Sequence, residues 1–159
     1  MTNAVTLNAD DNAYADEIYN KLKINLGLTD YEVGLLKSIN GELKKPLPTT
    51  PAGVESRINV LDMYRVKLLN FIYAVNDKAS KFEYEYKKVY DPKFVQLTRA
   101  GRPNQQAVDS EIHNDISMQD NRLVLHNFEN FKGLLFGYLK TIDTAKDTCM
   151  QKWKQGGYM

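Results

Sequence analysis

The chain has 159 residues, a formal net charge of +1, 26% charged and 43% apolar residues. That length suits one domain or one elongated helical unit, and the composition excludes a wholly disordered chain. Bulk charge points to no acidic partner, so only a local cluster of Lys and Arg could recruit one. One cysteine, Cys149, excludes an intramolecular disulfide and suits a reduced intracellular setting. The polar opening MTNAVTLNADDNAY lacks the basic and apolar regions of a signal peptide. No window approaches the ~20 apolar residues needed to span a bilayer, so the cytoplasm is the expected compartment and no membrane partner is expected.

Residues 1–10 read as a loosely held arm. A short helix is expected over Asp11–Leu26, where Tyr14, Ile18, Leu22 and Leu26 recur every fourth position and Gly27 ends the stripe. Thr29 and Glu32 have capping-box spacing and open a second helix with Val33, Leu36, Ile39 and Leu43 on its apolar face. Residues 1–45 thus form an N-terminal helical hairpin. Residues 46–53, with Pro46, Pro48, Pro51 and Gly53, form an extended linker, because each proline biases its predecessor away from helix.

Residues 54–159 carry the long elements. Apolar residues Ile58, Leu61, Leu68, Ile72, Val75, Ala79, Phe82, Tyr86 and Val89 follow a 3-4-3-4 rhythm, with Arg65 at one position. This spacing keeps one seam of a helix facing a partner helix, and predicts a helix from about Gly53 to Tyr90. Asp91-Pro92 is expected to break or kink it, and Thr98–Gln106, with Gly101 and Pro103, to form a loop. A last helix is expected from Ala107 or Val108 to Lys154, with Val124, Phe128, Phe131, Leu135, Tyr138, Ile142, Ala145 and Cys149 on one stripe. The predicted fold is all-α: two long antiparallel helices in a coiled-coil-like hairpin, with the short N-terminal helical pair attached. A surplus of apolar surface and Arg65 in the seam point to a homo-oligomer, with Arg65, Leu68, Ile72, Phe128, Phe131 and Leu135 as interface candidates.

Catalytic patterns are absent: the chain has no phosphate-cradling Gly-rich loop, nucleophile elbow or cofactor fingerprint. No enzyme, cofactor or metal is therefore expected. Cys149 lies on an apolar stripe and reads as a small core residue. Asp109, Glu111, His113 and Asp115 alternate along a helix, and only the pairs Asp109/His113 and Glu111/Asp115 share a face. They read as a solvated acidic helix start. Between Lys78 and Arg102, Lys81, Lys87, Lys88, Lys93, Arg99 and Arg102 interleave with Tyr84, Tyr86, Tyr90 and Phe94. Cations beside rings are what a sequence-tolerant single-strand binder uses, neutralising phosphates and stacking bases. The plainer reading is a basic helix end paired with Asp109, Glu111, Asp115 and Asp120.

Residues 60–154 also carry Lys87-Lys88-Val89 on a long helix, a loop with Gly101-Arg102, a second long helix after Glu111-Ile112, and a basic end at Lys152-Trp153-Lys154. In this pattern the chain resembles the UvsY-like recombination mediators of tailed phages. The resemblance implies an all-helical, ring-forming protein that binds single-stranded DNA and helps load a recombinase onto DNA covered by single-strand binding protein. It points to Lys87, Lys88 and Arg99 or Arg102 as DNA contacts, and to a host cytoplasm as the setting. The alternative is a helical structural or assembly protein of a phage particle or other large complex, without DNA binding and located in the virion. A small helical adaptor for one host protein is a third reading.

Overall fold

The computed structural model describes residues 17, 19–21, 23–101 and 104–156. Among them the regular elements are helices: α1 (Asp30–Leu43), α2 (Pro51–Arg99), α3 (Gln105–Ile112) and α4 (Ile116–Gln155), with no strand. Ahead of α1, residues 19–21 and 23–26 are helical, and Gly27 follows with φ of 61°. The expected N-terminal arm, together with Tyr14, Ile18, Leu22 and Arg102, lies outside the described residues.

Local signals set most helix ends. The Thr29 hydroxyl accepts from the Glu32 amide at 3.2 Å, and the Glu32 carboxylate accepts from the Thr29 amide at 2.7 Å. This reciprocal cap starts α1. Thr50 accepts from the Gly53 amide, with Pro51 in the first helical turn. Proline fits there because its missing N–H would have no intrahelical partner.

Three expected boundaries are corrected. The extended linker stops at Thr50 rather than Gly53, because Pro51–Gly53 form the first turn of α2. α2 does not end at Tyr90 but passes through Asp91-Pro92 to Arg99. Proline in a helix removes one backbone hydrogen bond and costs about 3 kcal/mol. Tyr86, Tyr90, Phe94 and Leu97 pack beyond and before it against buried Val108, Ile112 and Met118. Burial of Val108, Ile112 and Met118, worth about 1.5–3 kcal/mol for each fully covered side chain, together with the partial cover of the four α2 side chains, outweighs the one lost bond. The last helix is not continuous either. α3 stops at Ile112, and Asp115 caps α4 by accepting from the amide and hydroxyl of Ser117. That aspartate competes with the backbone for helix continuation and wins.

The two long helices, of 49 and 40 residues, are about 73 and 60 Å long at 1.5 Å per residue. They lie against each other through Asp62–Lys146 at 2.6 Å, Arg65–Asp143 at 2.8 Å, Phe71–Phe131 at 5.8 Å between ring centroids and Phe82–Phe128 at 6.2 Å. The partner number on α4 falls as the number on α2 rises. Leu61, Leu68, Ile72, Val75 and Ala79 of the predicted seam are buried, whereas Val89, its last position, is exposed. The N-terminal segment joins the same core through Leu26, Leu28, Val33, Leu36 and Ile39. Tyr19 and Tyr138 hydroxyls meet at 3.2 Å, and Lys78 reaches Glu32 at 3.3 Å.

Arg57 closes the turn between α1 and α2. Its guanidinium is 8% exposed and donates to the carbonyls of Lys45 (3.0 Å), Pro46 (2.9 Å) and Glu42 (3.0 Å). α1 has no basic residue in its last turn. Arg57 supplies across the turn the cation that a helix C-terminus favours.

Candidate nucleic-acid interface

The basic residues singled out by sequence fall along the second half of α2, and most find a carboxylate. Lys81 pairs with Asp77 (2.7 Å), Lys87 with Glu83 (2.7 Å), Lys88 with Glu85 (2.8 Å) and Lys93 with Asp115 (3.3 Å). The hydrogen bond to Glu83, then its charge, holds the Lys87 ammonium above its ordinary range, and Lys87 lowers the Glu83 carboxyl in the same way. Arg99 is exposed in the last turn of α2.

Three of the four interleaved rings face inward. Tyr86 stacks on Tyr90 at 5.6 Å and Tyr90 on Phe94 at 5.9 Å, each at 23°. This ladder seats α3 and the start of α4. Tyr84 alone of the four points out: it is 62% exposed, and the Lys88 ammonium stands 4.4 Å from its ring centroid, a cation–π distance.

Spacing explains the sorting. Met63, Val66, Tyr73, Asp77, Lys81, Tyr84 and Lys88 follow one another at intervals of three, four or seven residues. They therefore share one side of α2, opposite the buried Leu61, Leu68, Ile72, Val75 and Ala79. The upper part of this outer stripe is apolar, with Met63, Val66 and Tyr73 exposed. The lower part alternates cation and ring.

A polar cluster that sequence reading missed joins α2 to α3. His113 is buried, with Nδ1 2.8 Å from the Asp109 carbonyl and Nε2 2.8 Å from the Tyr86 hydroxyl. A carbonyl only accepts, so Nδ1 carries the proton and Nε2 accepts from Tyr86. The Tyr90 hydroxyl donates to the Asp109 carboxylate. Burial, then that bond, pushes Tyr90 up to about 12, and burial followed by the Asp109 charge raises Tyr86. Tyr86 and His113 are 27 positions apart, and no local pattern links them.

Compared with known family models, curated proteins and solved structures, the chain matches none.

The residues expected at an oligomer interface have other surroundings here. Leu68, Ile72, Phe128, Phe131 and Leu135 are buried within the single chain, and Arg65 is spent on Asp143. A strand of greasy positions at helical spacing does not say whether its partner is the same chain or another; the Phe71–Phe131 and Phe82–Phe128 contacts supply an intrachain partner. Cys149 is buried, and burial raises its thiol. Among the described residues no group of three or more His, Cys, Asp or Glu side chains converges as a metal site. Nor, among them, is any helix long and apolar enough to cross a membrane.

Proposed function

We propose that the two long helices act as an antiparallel, coiled-coil-like hairpin that binds single-stranded DNA, as an oligomeric recombination or replication accessory protein of phage type working in a host cytoplasm. The observation that carries this reading is the exposed line Lys81–Tyr84–Lys88 on the outer side of α2, continued by Arg99. A ring between two cations offers a base a stacking face with phosphate contacts on both sides. The lysines' carboxylate partners are no obstacle, because exposed ion pairs are weak and a phosphate can replace a carboxylate at little cost. The resemblance to UvsY-like mediators supports the same reading and extends it to a recombinase or single-strand binding protein as partner.

Affinity for labelled oligo(dT), followed by fluorescence anisotropy, tests it. Four phosphate contacts predict a logarithmic salt slope of about −2.8 and a loss of about 50-fold between 50 and 200 mM salt. Changing Lys81, Lys88, Arg99 and Arg102 together to Ala should flatten that slope. Binding that ignores both salt and these changes would sink the mechanism.

A second reading rests on the upper part of the same stripe. Met63, Val66 and Tyr73 leave apolar surface uncovered on the longest helix, which suits a helical structural or assembly protein with protein contacts only. Stable assembly in light scattering, with no oligonucleotide binding at low salt, would favour it.

A further inference from the structure

A concavity of about 500 Å³ opens where α3 meets the first turns of α4, lined by His113, Gln119, Arg122, Leu123 and His126. Gln119, Arg122, Leu123 and His126 follow at intervals of three, one and three residues, so one side of α4 presents them together. The volume lies in the roughly 300–1,000 Å³ range of small-molecule sites.

The lining divides into a cationic edge and an apolar floor. Among the described residues, the ion pairs made from α4 and its cap fall at Asp115, Asp143 and Lys146 and not at Arg122. Asp115 is engaged by Ser117 and Lys93, and Asp109 by Tyr90. His126 Nε2 lies 3.0 Å from the Asn130 amide nitrogen and accepts from it, which leaves Nδ1 to carry a proton. The residues around the opening therefore include a permanent cation, Arg122, and an imidazole with one N–H to donate, His126. The floor is different. Both nitrogens of His113 are already bonded, to Tyr86 and to the Asp109 carbonyl, so this ring offers only carbon surface. It stacks on Tyr86 at 6.3 Å and 23° and tilts against Tyr90 at 5.9 Å, which makes it a rigid extension of the aromatic ladder. Beside it, Leu123 is 58% exposed, a large apolar group without cover.

A ligand that fits carries a dianionic or monoanionic phosphate joined to a flat, largely apolar ring. We propose that this concavity binds a nucleoside 5′-monophosphate, either free or as the 5′-terminal nucleotide of a strand. The phosphate sits on the Arg122 guanidinium with a hydrogen bond from His126, and the base lies against His113 and covers Leu123. Arg122 suits that role because its planar fork pairs with phosphate oxygens two at a time. The site goes beyond the outer stripe of α2 and does not depend on it.

NMR titration of the ¹⁵N-labelled full chain tests the assignment, with thymidine 5′-monophosphate, thymidine, inorganic phosphate, and oligo(dT) with and without a 5′-phosphate. The monophosphate is expected to shift the signals of Gln119, Arg122, Leu123 and His126 and to saturate at about millimolar concentration. Thymidine and phosphate alone should each bind about tenfold more weakly or worse, the loss of one good contact. Arg122→Ala and His126→Asn, both exposed and outside the core, should each weaken binding by at least about tenfold for the arginine and severalfold for the histidine. Lys81→Ala with Lys88→Ala should leave it unchanged. Shifts given by the 5′-phosphorylated strand and not by its unphosphorylated counterpart identify a strand end as the source; shifts given by the monophosphate alone identify the free nucleotide. Three results would overturn the proposal: no saturation by about 10 mM monophosphate, equal affinity for inorganic phosphate, or undiminished binding by folded Arg122→Ala. Loss of oligo(dT) binding in the Lys81/Lys88 variant with the monophosphate shifts intact would separate this site from the α2 stripe.

Discussion

Removing the Arg57 guanidinium should be among the costliest single changes in this protein. The side chain is 8% exposed and donates three hydrogen bonds, of 2.9 to 3.0 Å, to carbonyls at the end of α1 and in the connector. Its Nε stands 3.9 Å from Glu42 Oε1, an ion-pair distance too long for a hydrogen bond. Glu42 is itself buried, with Lys45 as a second partner at 2.5 Å. Arg57→Ala would leave a buried carboxylate with an exposed lysine alone and take the donor from the Lys45 and Pro46 carbonyls, while the Glu42 carbonyl keeps the Lys45 amide at 3.1 Å. Breaking one side of a buried pair costs about 3–5 kcal/mol. Hydrogen bonds to charged groups, at about 1.5–3 kcal/mol each, would sum to more, but such terms overlap and do not add. For a chain of this size the change lowers Tm by about 6–20 °C. Urea unfolding followed by circular dichroism at 222 nm measures it. Adding Glu42→Ala should restore part of the loss, because the stranded carboxylate goes with it. A loss below about 1 kcal/mol for Arg57→Ala, or strict additivity in the double variant, would refute the clamp.

Pro92 stands inside α2 and is exposed; Pro92→Ala should raise stability by about 1–3 kcal/mol in the same urea assay, since it restores a helix hydrogen bond. Tyr90 predicts an alkaline limit. Its pKa rises from 10.0 unfolded to about 12 folded, so its contribution is intact below pH 10 and lost between about pH 10 and 12, where only the unfolded state has released its proton. Tyr90→Phe should flatten that part of the stability–pH curve. At the acid end, the Ser117 hydroxyl and amide hold the Asp115 carboxyl below its ordinary 3.8; its contribution is present above that value and fades as pH falls further, and Asp115→Asn should remove the dependence.

The chain by itself determined the helical class and much of where helices start. Thr29 with Glu32 and Thr50 before Pro51 act over three or four residues, a range that sequence spacing expresses directly. The heptad rhythm likewise marked Leu61, Leu68, Ile72 and Val75 as one buried line, because helical geometry converts spacing into a face. Pro92 was decided otherwise. Proline's local cost was visible, but the burial of Tyr90, Phe94 and Leu97 against Val108, Ile112 and Met118 that offsets it comes from another part of the chain. The same holds for function-bearing side chains. Sequence showed cations interleaved with rings; only packing sorted Tyr86, Tyr90 and Phe94 inward and left Tyr84 outside under Lys88. It also drew His113 onto Tyr86 and set Arg122 and His126 around one opening. A side chain's availability depends on what covers it, and for these residues the cover is supplied by helices far away in the chain.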